Sequence, residues 1–75
     1  MARWPRISGS KEVKAFSKDG WLMVSQPGSQ VIMVKPGYMV TLSVPKHREL
    51  DRGTLRKLIR LAGLSVDEFV ELLRR

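Results

Sequence analysis

The sequence contains no cysteine, and His47 is its only histidine. Disulfide bonds and thiolate metal sites are therefore excluded. A zinc site is not expected either, because a single histidine has no second histidine or cysteine with which to share a metal. We expect no metal and no cofactor, so the fold of these 75 residues must be stabilised by packing alone.

Long apolar segments are missing as well. No run approaches the roughly 18 residues that a membrane-spanning helix needs. Residues 1–6 carry positive charge, but no apolar segment follows them, so we do not expect a signal peptide. We accordingly predict a cytoplasmic protein without a membrane partner, and the absence of cysteine agrees with that compartment.

Acidic residues are scarce relative to basic ones. Fourteen Lys and Arg stand against seven Asp and Glu, which gives a net charge of +7. In a chain of this size such an excess creates an electrostatic field that attracts polyanions. Nucleic acid is the partner class that we favour, while a membrane surface, an acidic protein or no anionic partner at all remain alternatives.

The spacing of apolar residues predicts a first helix, three strands and two further helices. Ser8 or Ser10 can cap the first helix, in which Val13 and Phe16 share a face, and Gly20 ends it. The strands are predicted at residues 21–26, 30–35 and 38–44, each bounded by Pro or Gly. In the last of them Val40, Leu42 and Val44 alternate with Thr41 and Ser43, the pattern of a half-buried strand. We interpret the methionines at positions 23, 33 and 39 as ordinary sheet residues.

A polar linker at residues 46–53 separates the strands from the second helix. That helix has an apolar face made by Leu55, Leu58, Ile59 and Ala62. Ser65 followed three residues later by Glu68 is the pattern of a capping box, and it predicts the start of a short last helix. We assign Trp21 and Phe69 to the core.

The two Pro-Gly dipeptides, at residues 27–28 and 36–37, predict turns between antiparallel strands. A three-stranded antiparallel sheet must bury one of its faces, and helices packed on that face solve the problem. We therefore predict one α+β domain over residues 1–75, similar to a double-stranded-RNA-binding domain. Its order is helix, three antiparallel strands, helix and a short C-terminal helix, with the helices on one face of the sheet.

Several short motifs, taken together in their order and spacing, resemble the HicA family, the toxins of type II toxin–antitoxin pairs. The resemblance extends over residues 3–73 and rests on Arg6-Ile-Ser-Gly9, Asp19-Gly-Trp21, Gln26-Pro-Gly-Ser29, Arg52-Gly-Thr-Leu-Arg56, Ala62-Gly-Leu64 and Glu68-Phe69. It implies an endoribonuclease that cleaves mRNA without a metal, an antitoxin partner of the HicB type, and a fold similar to a double-stranded-RNA-binding domain.

The family's catalytic histidine follows a Gly-Ser pair at the start of the second strand, where this chain has Gly28, Ser29 and then Gln30. Histidine can accept and donate a proton near neutral pH. A glutamine amide can bind a phosphate or a ribose but cannot carry a proton away. We therefore expect the chain to bind RNA and to cleave it poorly or not at all. An engineered replacement, a naturally divergent member and a plain strand-edge residue all remain possible readings of Gln30.

Basic residues around the end of the third strand are predicted to bind RNA phosphates together with Gly28 and Ser29. They are Lys46, His47, Arg48, Arg52 and Arg56, with Lys57 and Arg60 beyond them. His47 can act as a general acid or base, bind phosphate passively or simply be solvated. For Arg60, Arg74 and Arg75 a solvated surface is the preferred interpretation.

Two other functions fit parts of the chain. Residues 54–73 resemble a helix-turn-helix DNA-binding module, although the second helix would present acidic residues, which repel phosphate. A non-catalytic RNA-binding domain, sequestered by an antitoxin or not, is the other alternative.

Overall fold

The computed structural model describes residues 7–47 and 51–75. The elements are helix α1 at Gly9–Lys18, strands β1 at Leu22–Ser25, β2 at Gln30–Val34 and β3 at Leu42–Pro45, and helices α2 at Arg52–Leu61 and α3 at Val66–Arg74. This order confirms the predicted α+β fold. No helix in these two ranges is long and apolar enough to cross a membrane.

The three strands form an antiparallel sheet in the order β1-β2-β3. Between β2 and β3, Gln30 lies opposite Pro45 and Met33 lies opposite Leu42. The inner face is formed by Val31, Met33, Leu42 and Val44, which are all buried. The alternation predicted for the third strand is confirmed within β3, because Ser43 is exposed between the buried Leu42 and Val44, whereas Val40 and Thr41 lie before the strand.

The helices form the second layer of the molecule. Both α1 and α2 pack on β3, and α3 packs on α1 and α2. Phe16 of α1 packs between two other aromatic rings of the core. Its ring centroid lies 5.3 Å from that of Phe69 and 6.4 Å from that of Trp21. Trp21 and Phe69 are buried, which confirms their assignment to the core.

Each helix begins at a side chain that caps free backbone N–H groups. Ser8 accepts from the amide of Lys11, Asp51 accepts from Thr54, and the predicted capping box is present. In that box Ser65 accepts from the Glu68 amide at 3.1 Å, and Glu68 accepts from the Ser65 amide at 2.8 Å. The bonds from Thr54 hold the pKa of Asp51 below its usual range, and those from Ser65 do the same for Glu68.

The third strand is shorter than predicted, since it starts at Leu42 and not at residue 38. The amide of Tyr38 closes a turn on the carbonyl of Lys35 at 3.0 Å, and the Tyr38 ring then packs 5.6 Å from the ring of Trp21. Residues 38–41 lie outside the sheet. Met39 is therefore fully exposed and is not the sheet residue that its pattern predicted.

Strand β1 is also shorter than predicted, and it lies at the edge of the sheet. Leu22, Met23 and Val24 are each more than half exposed, so the helical layer covers neither face of this strand fully. Its pairing with β2 becomes irregular between Met23 and Ser25. Such an irregularity increases the local twist of an edge strand.

The first turn of α1 lies directly against the backbone at the end of β3. The amide of Gly9 donates a hydrogen bond of 2.9 Å to the carbonyl of His47. A Cβ atom at position 9 would lie only 2.1 Å from the Pro45 carbonyl oxygen and 2.9 Å from the Lys46 Cα. Glycine is therefore required here by the closeness of two backbones, since any side chain would force them apart.

Glu12 lies one turn after Gly9 on the same face of α1, and its side chain is completely buried. Neither carboxyl oxygen has a hydrogen-bond partner within the described residues. Burial raises the pKa of Glu12 to about 8, because the charged form would lose its hydration. The carboxyl group is therefore neutral in the folded protein at neutral pH.

We predict that Glu12→Gln makes the protein more stable at neutral pH and flattens its pH dependence. The carboxyl ionises near 4.5 in the unfolded chain and near 8 in the folded one. The contribution of this carboxyl group to the free energy of unfolding is therefore complete below pH 4.5 and is lost as the pH rises towards 8. Urea unfolding measures the free energy of unfolding of Glu12→Gln relative to wild type. This difference should be larger at neutral pH than at acid pH by an amount on the order of 3 kcal/mol. Glu71→Gln, at an exposed position of α3, is the control, and an equal gain at both pH values would contradict the prediction.

We predict that Gly9→Ala destabilises the protein, although alanine favours an open helical position by about 0.5–1 kcal/mol. The added methyl group meets the Pro45 carbonyl oxygen. The expected loss is therefore roughly 1–3 kcal/mol, as for other overpacked sites. Denaturant unfolding measures it, with Ser10→Ala at the neighbouring exposed position as the control. A stabilised Gly9→Ala variant would show that the two backbones can separate without cost.

Candidate functional site

The turn before β2 places Gln30 at the end of the sheet. The Gln30 amide donates to the Pro27 carbonyl at 3.2 Å, and Gly28 has a φ of 59°. That φ lies in the left-handed region, which glycine adopts without strain. Nothing lies within 4 Å of the position that a Gly28 Cβ would occupy, so the backbone of this turn is open to an approaching molecule.

The side chain of Gln30 lies on the face of the sheet that carries no helix. Val31 and Met33 point inward and are buried, so Gln30 and Ile32 point outward by the period of two. The Ser43 hydroxyl of β3 donates a 2.7 Å hydrogen bond to Gln30 Oε1. The amide group of Gln30 is thus held in place on an exposed surface.

Ser43 is a residue of the site that the sequence reasoning missed. The period-two pattern placed Ser43 on the exposed face of β3, but only the β2–β3 register brings it beside Gln30. A hydroxyl at this position can orient whatever polar side chain occupies position 30, by accepting or donating a hydrogen bond. Gly9 belongs to one of the motifs of the family resemblance, but its contact with the end of β3 depends on the tertiary fold and is not visible in the sequence.

The segment after β3 brings two predicted phosphate-binding residues to the same end of the sheet. The Lys46 amide donates to the Ser29 carbonyl at 2.6 Å, which extends the pairing of β2 with β3 beyond Gln30 and Pro45. The His47 carbonyl accepts from Gly9, as described above. The side chains of Lys46 and His47 are exposed. Five predicted residues therefore come together here: Gly28, Ser29, Gln30, Lys46 and His47.

The remaining predicted phosphate contacts lie beyond this cluster. Arg48 lies outside the described residues. Arg52 is the first residue of α2, and Arg56 follows one turn later; both are exposed. At most about 18 Å of chain separates His47 from Arg52, so Arg52 is within reach of a ligand that also contacts the sheet end.

The cluster offers hydrogen bonds and positive charge to an anionic ligand. Lys46 supplies a charge, and Ser43 and Gln30 supply polar groups on an open face. His47 is the only member of the cluster with an imidazole ring, a group that can both accept and donate a proton. Nowhere in residues 7–47 and 51–75 do three His, Cys, Asp or Glu side chains group as metal ligands would.

The helix-turn-helix alternative receives little support from the surface of its second helix. Three acidic residues of α3, Asp67, Glu68 and Glu71, are exposed. Together they line one shallow cavity beside Lys18 and Asp19. Carboxylates in that position repel DNA phosphates. The geometry therefore argues against α3 as a DNA-reading helix.

Comparison with known proteins supports the fold and identifies the family. The sequence profile of the HicA toxins of bacterial toxin–antitoxin systems matches residues 9–64, a narrower range than the 3–73 of the resemblance. A chain of a toxin–antitoxin complex from Streptococcus pneumoniae superposes with a TM-score of 0.69 at 29% identity. The superposition covers 77% of this chain and 98% of that one. No curated protein matches significantly. Because the family profile matches well over half of the sequence, the chain belongs to the HicA toxin family.

Proposed function

We propose that the chain is an RNA-binding toxin of the metal-independent endoribonuclease type, whose own cleavage activity is impaired by Gln30. The observation that supports this most is the position of Gln30. It begins β2 on the open face of the sheet, bonded to Ser43 and opposite Pro45, next to the exposed Lys46 and His47. A phosphodiester lying on this end of the sheet would meet both hydrogen-bonding groups and positive charge.

Cleavage of RNA without a metal proceeds by attack of the 2′-hydroxyl on the adjacent phosphorus. The 2′-oxygen forms the new P–O bond, its proton passes to a base, and the 5′-oxygen leaves with a proton from an acid. Such proton transfers contribute ~10²–10⁴ in rate. The amide of Gln30 can hold a phosphate oxygen or a ribose hydroxyl, but it can serve as neither acid nor base. His47 is the remaining candidate for one of the two roles.

Binding does not depend on the missing proton-transfer group. Lys46, Arg52 and Arg56 are exposed cations near or beyond the sheet end, and the turn at Gly28 leaves the backbone accessible. Phosphate contacts from such groups fix the position of a nucleic acid without reading its sequence. We therefore propose mRNA as the ligand, in the cytoplasm, with Arg48 as a further contact.

The partner that we propose is an antitoxin of the HicB type. The similar chain from Streptococcus pneumoniae comes from a toxin–antitoxin complex. A net charge of +7 also favours a partner with acidic surface. A domain that only binds RNA remains the second candidate, because Gln30 leaves the binding groups intact.

We predict that Gln30→His creates a ribonuclease. The turn, the register with Pro45 and the Ser43 hydroxyl are already in place, so only the proton-transfer group is missing. Cleavage of single-stranded RNA should rise roughly 10²-fold or more above wild type. The activity should survive EDTA and fall in acid as the imidazole becomes protonated, if this histidine is the base.

The control for that experiment is Gln30→Ala, which removes the side chain without adding a proton-transfer group. It should cleave no faster than wild type. If Gln30→His cuts no faster than Gln30→Ala, position 30 is not a catalytic position in this chain. The binding-only function would then replace the ribonuclease.

We predict that Lys46→Glu weakens the binding of single-stranded RNA more than Arg74→Glu does. Both variants change the net charge equally. The backbone amide of Lys46 is hydrogen-bonded to the Ser29 carbonyl at the site, whereas Arg74 is the last residue of α3. The slope of log K against log salt should become shallower by about 0.7 for the lost contact. Fluorescence anisotropy over a salt series measures it. Equal losses, or a wild-type affinity that does not vary with salt, would remove this segment from the site.

A further inference from the structure

The exposed face of α2 carries a shallow cationic groove apart from the sheet end. It has a volume of about 490 Å³ and is lined by Gly53, Arg56, Lys57, Arg60 and Leu61. These positions follow the spacing of one helical face. Gly53 has no side chain, so it leaves open space at one end of the groove. Leu61, which is 36% exposed, forms an apolar wall of the groove.

The charges on this face are of one sign. α2 contains four basic residues and no acidic one: Arg52, Arg56, Lys57 and Arg60. The ion pair found among the described residues joins Lys35 and Asp19, so no described carboxylate pairs with these cations. Among the described residues, Asp51 has its carboxylate close to Gly53, where it accepts hydrogen bonds from the Thr54 amide and hydroxyl.

Acidic residues are concentrated on the next helix, where Asp67, Glu68 and Glu71 are exposed. A basic surface that served only solubility would mix both signs and pair them along each helix. Because α2 instead carries only basic residues and the exposed acids lie in the first two turns of α3, α2 has a directed field for a polyanion. Arg56 and Arg60 are one turn apart, about 6 Å along the axis, and each can bind a phosphate with two parallel N–H groups.

We infer that the groove on α2 is a second binding site for the RNA backbone, with Arg56 and Arg60 on successive phosphates and Leu61 against a ribose or base. The inference rests on the proposed RNA-binding function and extends it. The α2 helix starts within about 18 Å of chain from His47, so one RNA strand can occupy the sheet end and the groove together. The ligand is therefore an oligonucleotide of several residues and not a single nucleotide.

The test compares wild type with the double variant Arg56→Gln/Arg60→Gln. Arg74→Gln/Arg75→Gln is the matched control, since it removes the same charge from exposed positions at the end of α3. Glutamine has a helix propensity close to that of arginine, so both variants should fold, and thermal unfolding checks this. The probe is a labelled single-stranded RNA of about 16 nucleotides, an upper site size for small single-strand-binding folds.

The groove variant should lose roughly 20-fold in affinity at about 0.1 M salt, and its salt slope should be shallower by about 1.4 for two lost contacts. The control should retain nearly wild-type values. A uridine dinucleotide, too short to span both sites, should bind weakly and equally to the wild-type chain and to the groove variant. Equal losses in the groove and control variants would show that only net charge matters and would overturn the inference.

Two further outcomes separate this inference from the proposed function. If Lys46→Glu weakens RNA binding while the groove variant does not, the groove inference alone fails. If wild type does not bind the RNA at all, the proposed function fails with it. Polyglutamate is the second probe. If the groove variant keeps its affinity for RNA but loses its affinity for polyglutamate, the groove binds an acidic protein. That result would contradict the RNA site.

Discussion

The contact between Gly9 and the end of β3 determines where the parts of this molecule meet. The hydrogen bond from Gly9 to His47 fixes the first turn of α1 on the segment that carries Lys46 and His47. That segment is in turn bonded to Ser29, in the turn that presents Gln30. One glycine without a side chain thus lets a helix, a strand end and a turn approach within backbone contact. The candidate site is assembled by backbone hydrogen bonds and does not rely on its exposed side chains for its shape.

The same face of α1 contains a group that opposes stability. Glu12 is buried one turn after Gly9, and its raised pKa means that the fold keeps the carboxyl group protonated at a cost that grows with pH. A neutral side chain of the same shape would avoid this cost. The chain is small and has no disulfide, so a penalty of this kind is large compared with the 5–15 kcal/mol typical of folded domains. We find no structural gain in the described residues that offsets it.

Position 30 separates binding from chemistry. The surroundings of Gln30 are those of a site: an exposed face, a hydroxyl that orients the side chain, and cations on the adjoining segment. The glutamine retains hydrogen bonding and loses proton transfer. Under the proposed function, such a chain keeps its RNA and its partner while its rate falls by the factor that general acid–base catalysis contributes. The groove on α2 adds positive charge beyond the linker, and we propose that RNA affinity depends on both surfaces and catalysis on the sheet end alone.

The order of the elements and most of the core could be predicted from the sequence because they follow from local patterns. The capping box at Ser65 and the alternation through Leu42 and Val44 are examples. Features that depend on tertiary contacts could not be predicted. Tyr38 lies outside the strand with its ring against Trp21, a contact that no sequence period reveals. Ser43 joins the site only through the β2–β3 register, and the strict need for glycine at position 9 arises from a backbone 36 residues further along the chain.

The most direct test of the proposed RNA-binding surface is the location of bound RNA on the wild-type chain. Amide chemical shifts recorded during titration with single-stranded RNA report contact residue by residue and require no cleavage. We predict that the largest changes fall at residues 28–30 and 46–47, with a second set at 56–61, and that both sets diminish together with added salt. Largest changes on α3, around Asp67 and Glu71, or no saturable change at the sheet end, would contradict this prediction.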